Sequence, residues 1–149
     1  MQYCRKCPDA VAEIRGGMEA PQLTGCVWFY QENGCVLIVA RVSGLSRESE
    51  TGFFGFHIHR GQNCSGPNFS GTGSHYNPVE RVHPKHAGDL PPLLECQGNA
   101  YLSIRTDRFS VSDIVGRTVV IHSDPDDFHS LPAGNAGMKI GCGVIYKRR

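Results

Sequence analysis

The stretch QLTGCVWFYQENGCVLIVARVSGL, residues 22–45, carries the clearest fold signal in the chain. In its first half Val27 and Phe29 fall on one side, as the two-residue period of a β-strand requires. Asn33 and Gly34 then tolerate the positive φ angles of a tight hairpin turn, and the second half is rich in β-branched residues. The stretch therefore predicts two antiparallel strands joined by a short turn.

Further strand-like runs flank this hairpin, and Gly- and Pro-rich segments separate them. The runs cover residues 9–17, 52–59, 99–110, 115–123 and 138–146. The segments at 60–95 and 124–137 have no sustained periodicity, and loops of such length in a compact domain are usually functional or disordered. About eight strands with two long loops predict an all-β sandwich or barrel.

Composition limits the class of protein. With 149 residues, 40% of them hydrophobic, the chain is long enough for one domain, which we expect at 11–149 behind an N-terminal tail at 1–10. A net charge of +1 gives no bulk attraction to nucleic acid or to an acidic membrane, and no apolar run is long enough for a transmembrane helix. The start lacks the apolar stretch of a secretory signal, which favours a cytoplasmic protein unless a leader has been replaced.

Two histidines stand one residue apart in GFHIHRGQNCSG, residues 55–66. On a strand, His57 and His59 project from the same face, about 6.5–7 Å apart, and can bind one metal ion from one side. His122 ends the strand-like run RTVVIH, where it could join them. Neutral imidazoles open to solvent suit copper, although a single H-x-H is equally typical of ordinary histidines.

A second set of possible ligands lies within the first long loop. His75, His83, His86 and Asp89 are spaced 8, 3 and 3 residues apart. Three imidazoles and a carboxylate suit tetrahedral zinc. Separate local roles for each histidine are the alternative, but six histidines and an aspartate at such spacing favour a metal site.

Five motifs now carry a specific resemblance. GFHIH, HYNP, HAGDLP, GRTVVIH and GNAGMKIGCGVI occur in the order of the copper/zinc superoxide dismutase family, and the resemblance extends from about Val11 to Tyr146. It implies a flattened eight-stranded Greek-key β-barrel, an immunoglobulin-like sandwich, with bound copper and zinc. It also implies an enzyme that converts superoxide to oxygen and hydrogen peroxide.

The resemblance assigns roles residue by residue. It implies four copper ligands: His57, His59, His75 and His122. It implies four zinc ligands: His75, His83, His86 and Asp89. The His75 ring would then bridge the two metals and carry a proton in the reaction. Asp126 matches a carboxylate that binds neither metal, and we expect it to link the ligands His59 and His86 through their outer nitrogens. Cys64 and Cys142 match the family disulfide.

The sequence departs from the family pattern at several positions. Lys139 stands where the family places an arginine over the copper, and lysine lacks the planar fork that holds two oxygens. This predicts a reduced rate, whereas a solvated lysine at a strand end is the alternative. Only two residues separate His83 from His86, fewer than is usual in the family. His129 has no family counterpart, and we expect it to be solvated.

Five cysteines remain outside the expected bridge. Cys4 and Cys7, in CRKC, could chelate Cu(I) or could be idle thiols in a frayed tail. Cys26 and Cys35 are expected to be small apolar fillers, and Cys96 has no assignment.

Two functional hypotheses follow. The first is a copper- and zinc-dependent dismutase of superoxide, slowed by Lys139. The second is a catalytically weak copper-binding or copper-carrier relative, while a copper-only variant is disfavoured because His83, His86 and Asp89 are all present. The expected partner is superoxide, and a copper donor protein is a further candidate. No nucleic acid or membrane is expected, and the protein is expected to be a monomer or a homodimer.

Overall fold

The computed structural model describes residues 6–148, and within that range it contains nine strands. These are β1 (Ala10–Gly16), β2 (Thr24–Gln31), β3 (Val36–Ser43), β4 (Phe53–Phe54), β5 (Phe56–His59), β6 (Leu93–Leu94), β7 (Asn99–Thr106), β8 (Thr118–His122) and β9 (Lys139–Lys147). A 3-10 segment (Pro67–Thr72) and a one-turn helix α1 (Val111–Ile114) lie in the connections. No helix among residues 6–148 is long and apolar enough to cross a bilayer.

Seven strands form one antiparallel sheet in the order β5-β8-β9-β1-β2-β3-β7, which curls into half a barrel. The short strands β4 and β6 form a second, two-stranded sheet. After β3 the chain crosses to the opposite edge of the sheet, where β5 lies, and β7 returns to pair with β3. Such a crossover belongs to Greek-key arrangements, and the prediction of an all-β fold is confirmed.

The hairpin predicted at 22–45 is present. Strands β2 and β3 pair from Thr24 opposite Ser43 to Gln31 opposite Val36. The side chains on the predicted inner face, such as that of Phe29, are fully buried. Gly34 adopts a φ of 78°, which a residue with a side chain rarely takes, so the turn depends on this glycine.

The run predicted as one strand at 52–59 is divided at Gly55. Its first part, β4, pairs with β6, whereas β5 pairs with β8. The Gly55 N–H donates to the Asp124 carbonyl, and the Gly55 carbonyl accepts from the His122 N–H. This division adds one strand to the predicted runs, and β6 adds another within residues 60–95, where the sequence predicts a loop. The division also brings β5 beside the end of β8.

The strand predicted at 99–110 is shorter than expected. β7 ends at Thr106, and Ser110 begins α1 through reciprocal hydrogen bonds with Asp113. A Ser followed three residues later by an acid is a known signature of a helix start, so this boundary was readable from the sequence. The connection between β7 and α1 is important because it lies against the loop that carries His86 and Asp89.

Candidate metal centre

The first long loop returns along the free edge of β5. The Ile58 N–H donates to the Gly88 carbonyl, and the Tyr76 N–H donates to the Ile58 carbonyl. His57 and His59 are consequently covered and only 0% and 2% exposed, with ring centroids 6.3 Å apart. Both histidines project from one face of the strand, as the sequence predicts.

Four buried histidines converge beside β5. The ligand atoms of His57, His59, His75 and His122 all lie within 4.8 Å of one another. His57 and His122 come from neighbouring strands, and His75 is brought in by the loop. The structure thus assembles the four residues that the resemblance assigns to copper.

A second group shares one residue with the first. The ligand atoms of His75, His83, His86 and Asp89 also lie within 4.8 Å of one another. Asp89 Oδ1 is 2.7 Å from His75 Nδ1, and Asp89 Oδ2 is 3.1 Å from His83 Nδ1. His75 therefore stands between the two groups, in the position expected of a bridging residue.

Backbone carbonyls orient two of the rings. The His59 Nδ1–H donates to the Gly73 carbonyl at 2.8 Å, and His122 Nδ1 lies 3.5 Å from the Gly137 carbonyl. This leaves the Nε2 atoms of His59 and His122 facing each other at 3.2 Å. Such outer hydrogen bonds fix the imidazole tautomer and the direction of its remaining lone pair.

Asp126 connects the two groups, but not through the residues expected. The carboxylate accepts from His57 Nε2 at 2.7 Å and from His83 Nε2 at 2.8 Å. The expected link between His59 and His86 is wrong, because the outward nitrogen of His59 is already bonded to Gly73. Sequence order gives the face of each histidine but not which ring lies beside the loop after β8.

The residues present fit a metal at each group. Within the described part of the chain, three buried side-chain nitrogens make no hydrogen bond: His57 Nδ1, His75 Nε2 and His83 Nδ1, the last of which lies close to the Asp89 carboxylate without hydrogen-bond geometry. Leaving such a group unpaired in the interior costs about 1–3 kcal/mol, so these lone pairs need a partner. The first two belong to the four-imidazole group, which suits copper. The third belongs to the group of three imidazoles and a carboxylate, which suits zinc.

Burial and hydrogen bonding set the charges of these side chains. Burial lowers the pKa of His122 to about 3 and that of His59 well below its ordinary value. Burial alone would raise the pKa of Asp126, but hydrogen bonds from His57, the Phe128 N–H and His83 outweigh it and hold that pKa well below its usual range. Neutral imidazoles and an ionised carboxylate are the forms that bind and support metals.

These shifts predict how the stability of the metal-free protein depends on pH. Below pH 6.5 an unfolded His122 takes up a proton, while the folded one stays neutral until about pH 3, so stability falls as the pH drops through this window. At pH 5 we expect His122 alone to contribute a loss of about 2 kcal/mol relative to pH 7.5. Urea unfolding of chelator-treated protein at the two pH values measures this. An unchanged or higher midpoint at pH 5 would contradict it.

A cavity of about 840 Å³ is lined by three of these four histidines, His59, His75 and His122. Lys139 lies at this cavity, where its ammonium donates to Thr72 Oγ1 at 2.8 Å and to the Gly73 carbonyl at 3.0 Å. Burial lowers the pKa of Lys139. Lys139 is thus tethered beside the cavity rather than extended into solvent. Two arginines, Arg60 and Arg117, and one acid, Glu80, also line the cavity, so with Lys139 its wall carries an excess of positive charge.

The expected disulfide is confirmed. Cys64 and Cys142 are bonded, with their Cα atoms 5.8 Å apart and 78 positions apart in sequence. The bridge ties the segment after β5 to β9. In the same segment, the Gly61 N–H donates to the Thr72 carbonyl. Since the Thr72 hydroxyl accepts from Lys139, the bridged segment helps to keep this anchor of Lys139 in place.

The other cysteines divide by position. Cys7 and Cys96 are exposed, and Cys4 lies outside the described residues. The expectation that Cys26 and Cys35 fill the core is wrong, because both are partly exposed and the Cys35 thiol donates to Glu32.

Some contributors to the centre have little or no signal in the sequence. His129 is not one of these contributors: as expected it is exposed, and it is hydrogen-bonded to Asp127. The carbonyls of Gly73 and Gly137 orient ligands through their backbone, which no residue type reveals. Arg60, in contrast, directly follows His59, and its charge beside the motif could have been noticed.

Comparison with known proteins agrees with this geometry. A family model described as copper/zinc superoxide dismutase matches residues 23–145. Superoxide dismutase [Cu-Zn] 3 of Arabidopsis thaliana is 39% identical over 91% of this chain and 88% of its own. Superoxide dismutase [Cu-Zn] 2 of Mesembryanthemum crystallinum is 36% identical over 91% of this chain and 93% of its own. Superoxide dismutase [Cu-Zn] 2 of Aquifex aeolicus is 34% identical over 83% of this chain and 80% of its own. This chain belongs to the copper/zinc superoxide dismutase family, whose members are oxidoreductases.

Proposed function

We propose that this protein converts superoxide to oxygen and hydrogen peroxide at a His75-bridged pair of metal sites, at a rate limited by Lys139. The observation that carries the proposal is the convergence of four buried imidazoles beside a cavity whose wall holds a tethered cation. We assign copper to His57, His59, His75 and His122. We assign zinc to His75, His83, His86 and Asp89.

In the proposed reaction the two metals and His75 would have different roles. Bound copper would supply one-electron oxidation and reduction, and bound zinc would act as a Lewis acid on the shared imidazole. His75 offers one nitrogen to each group, and Asp89 lies 2.7 Å from its Nδ1. In this proposal His75 Nε2, which faces the copper group, would carry the proton that the reduced oxygen species takes up whenever this nitrogen is not bound to the metal.

Lys139 would receive the superoxide anion. An ammonium group has three N–H donors, and two of them are already used on Thr72 and Gly73. One donor therefore remains for the anion, whereas a guanidinium could present two parallel N–H groups to its two oxygens. Arg60 and Arg117 in the cavity wall supply further positive charge, which raises the local concentration of a small anion.

Changing Lys139 to arginine is expected to raise kcat/KM for superoxide by about tenfold, the gain of one additional charge-assisted hydrogen bond. Stopped-flow decay of superoxide measures the rate, with copper and zinc counted on the same sample. Lys147→Arg, at the exposed end of the same strand, is the matched control and should leave the rate unchanged.

The same experiment tests the wider proposal. Activity of the wild-type protein in proportion to its copper content supports a dismutase. Full occupancy by copper and zinc without activity would overturn it, and would leave a copper-binding or copper-carrier protein. An equal rate for Lys139→Arg and the wild type would show that lysine does not limit the reaction.

A further inference from the structure

The short segment that carries three of the four proposed zinc ligands, residues 82–89, contains several backbone hydrogen bonds. The Lys85 N–H donates to the Val82 carbonyl, and the Asp89 N–H donates to the His86 carbonyl. The Asp89 carboxylate in turn accepts from the His86 N–H at 2.9 Å. We call this segment the zinc loop. Carbonyls of the zinc loop also accept hydrogen bonds from a donor outside it.

Arg108 supplies such a donor from a distant part of the sequence. Its Nη1 donates to the carbonyls of Pro84 and His86, each at 3.0 Å, and reaches the Asp89 carbonyl at 3.4 Å. Two of these three carbonyls belong to proposed zinc ligands. One guanidinium nitrogen is therefore hydrogen-bonded to backbone carbonyls near both ends of the zinc loop.

The position of Arg108 is itself fixed by the fold. It lies between β7 and α1, and its own N–H donates to Thr106 Oγ1 at 3.2 Å. The next residue, Phe109, is buried in the core. Arg108 thus lies in a short bend that is anchored at Thr106 and at buried Phe109. The zinc loop consists of turns and bends, apart from an isolated bridge between Asp89 and His57.

We propose that Arg108 is a positioning residue for zinc, which holds the zinc loop in its binding conformation. The proposal rests on the assignment of zinc to the group of His75, His83, His86 and Asp89. A loop ordered before the metal arrives has less conformational freedom to lose on binding, so its affinity is higher. The guanidinium contacts only carbonyls in these bonds, and it acts through the ligands rather than on the metal.

The copper group should respond differently. Three of its members, His57, His59 and His122, are carried by β5 and β8, and none of them is bonded to Arg108. Loss of Arg108 is therefore expected to lower the zinc affinity and to leave the copper affinity nearly unchanged. A general loss of stability would instead weaken both.

Arg108→Ala is expected to weaken zinc binding by at least about tenfold, the usual effect of losing an outer partner of a metal ligand. Copper affinity should change by less than about twofold. Competition with a chromophoric chelator measures both affinities, and the visible spectrum of Co²⁺ bound in place of zinc reports the geometry of the group. Arg108→Lys keeps the charge on one flexible donor nitrogen without the planar guanidinium, and should give an intermediate affinity. Lys85→Gln removes a charge from the zinc loop but none of these carbonyl bonds, and should bind zinc as the wild type does.

The outcomes separate this proposal from the assignment of zinc. Zinc affinity and Co²⁺ spectrum unchanged in both Arg108 variants would overturn the role of Arg108 alone. Equal losses of zinc and copper affinity would also overturn it, since they would indicate a general effect on the fold. Wild-type protein that binds no zinc at this group would overturn the assignment as well. If Arg108→Ala does not fold, the zinc affinity and Co²⁺ spectrum of Arg108→Lys are compared with those of the wild type instead.

Discussion

Replacing His122 by alanine is expected to lower the rate of superoxide dismutation by two orders of magnitude or more. Loss of an outer partner of a metal ligand already costs about 10–100-fold, and His122 belongs to the four-imidazole group itself. Zinc binding should be retained, because none of the four proposed zinc ligands is changed. The measurement is the superoxide decay rate together with the copper and zinc content of the purified variant.

A matched control lies seven positions further along the chain. His129 is exposed and hydrogen-bonded to Asp127, outside both metal groups. His129→Ala should therefore keep the wild-type rate and metal content. If His122→Ala retained more than about a tenth of the activity, copper would not depend on the four-histidine group, and the proposed function would be wrong.

Removing the disulfide is expected to lower the free energy of unfolding by about 4 kcal/mol, because the bridge closes a loop of 78 residues in the unfolded chain. Cys142 is buried, so the suitable variant combines Cys64→Ser with Cys142→Ala and avoids an unpaired hydroxyl in the core. Activity should fall as well, since the bridged segment also anchors the residues that hold Lys139.

Urea unfolding of the metal-free protein measures the effect without a contribution from metal binding. Cys96→Ser, at an exposed free cysteine, is the control and should change the unfolding free energy by less than about 0.5 kcal/mol. A double variant as stable as the wild type would show that the unfolded chain gains little freedom when the bridge is absent.

The parts of the molecule that follow a local period could be predicted from the sequence. The two-residue alternation in residues 22–45 gives the β2–β3 hairpin with its buried face, and GFHIH gives two histidines on one face of β5. The spacing of His75, His83, His86 and Asp89 predicts a metal group because such donors rarely cluster without one. Each of these signals is contained within one continuous stretch of the sequence.

The remaining features depend on contacts between distant segments, and local patterns do not specify them. Asp126 accepts from His57 and His83 because the loop after β8 passes those two rings, which sequence order does not reveal. The division of residues 52–59 arises where Gly55 meets Asp124 and Ala136, so close that a methyl group at Gly55 would lie 3.0 Å from Ala136. The role of Arg108 depends on carbonyls, which every residue possesses.

The pairing of β1 with β9 determines when the sheet can form during synthesis. Ala10 lies opposite Lys147 and Val11 opposite Tyr146, so β1 leaves the ribosome long before its partner has been translated. Until then one side of β1 presents unpaired N–H and carbonyl groups, which can pair with the edge strand of another nascent chain. All the histidines of both metal groups are translated before Lys139 and Cys142. The last strand to emerge therefore brings in the anion-binding lysine and the second half of the disulfide, and it joins the two parts of the large sheet.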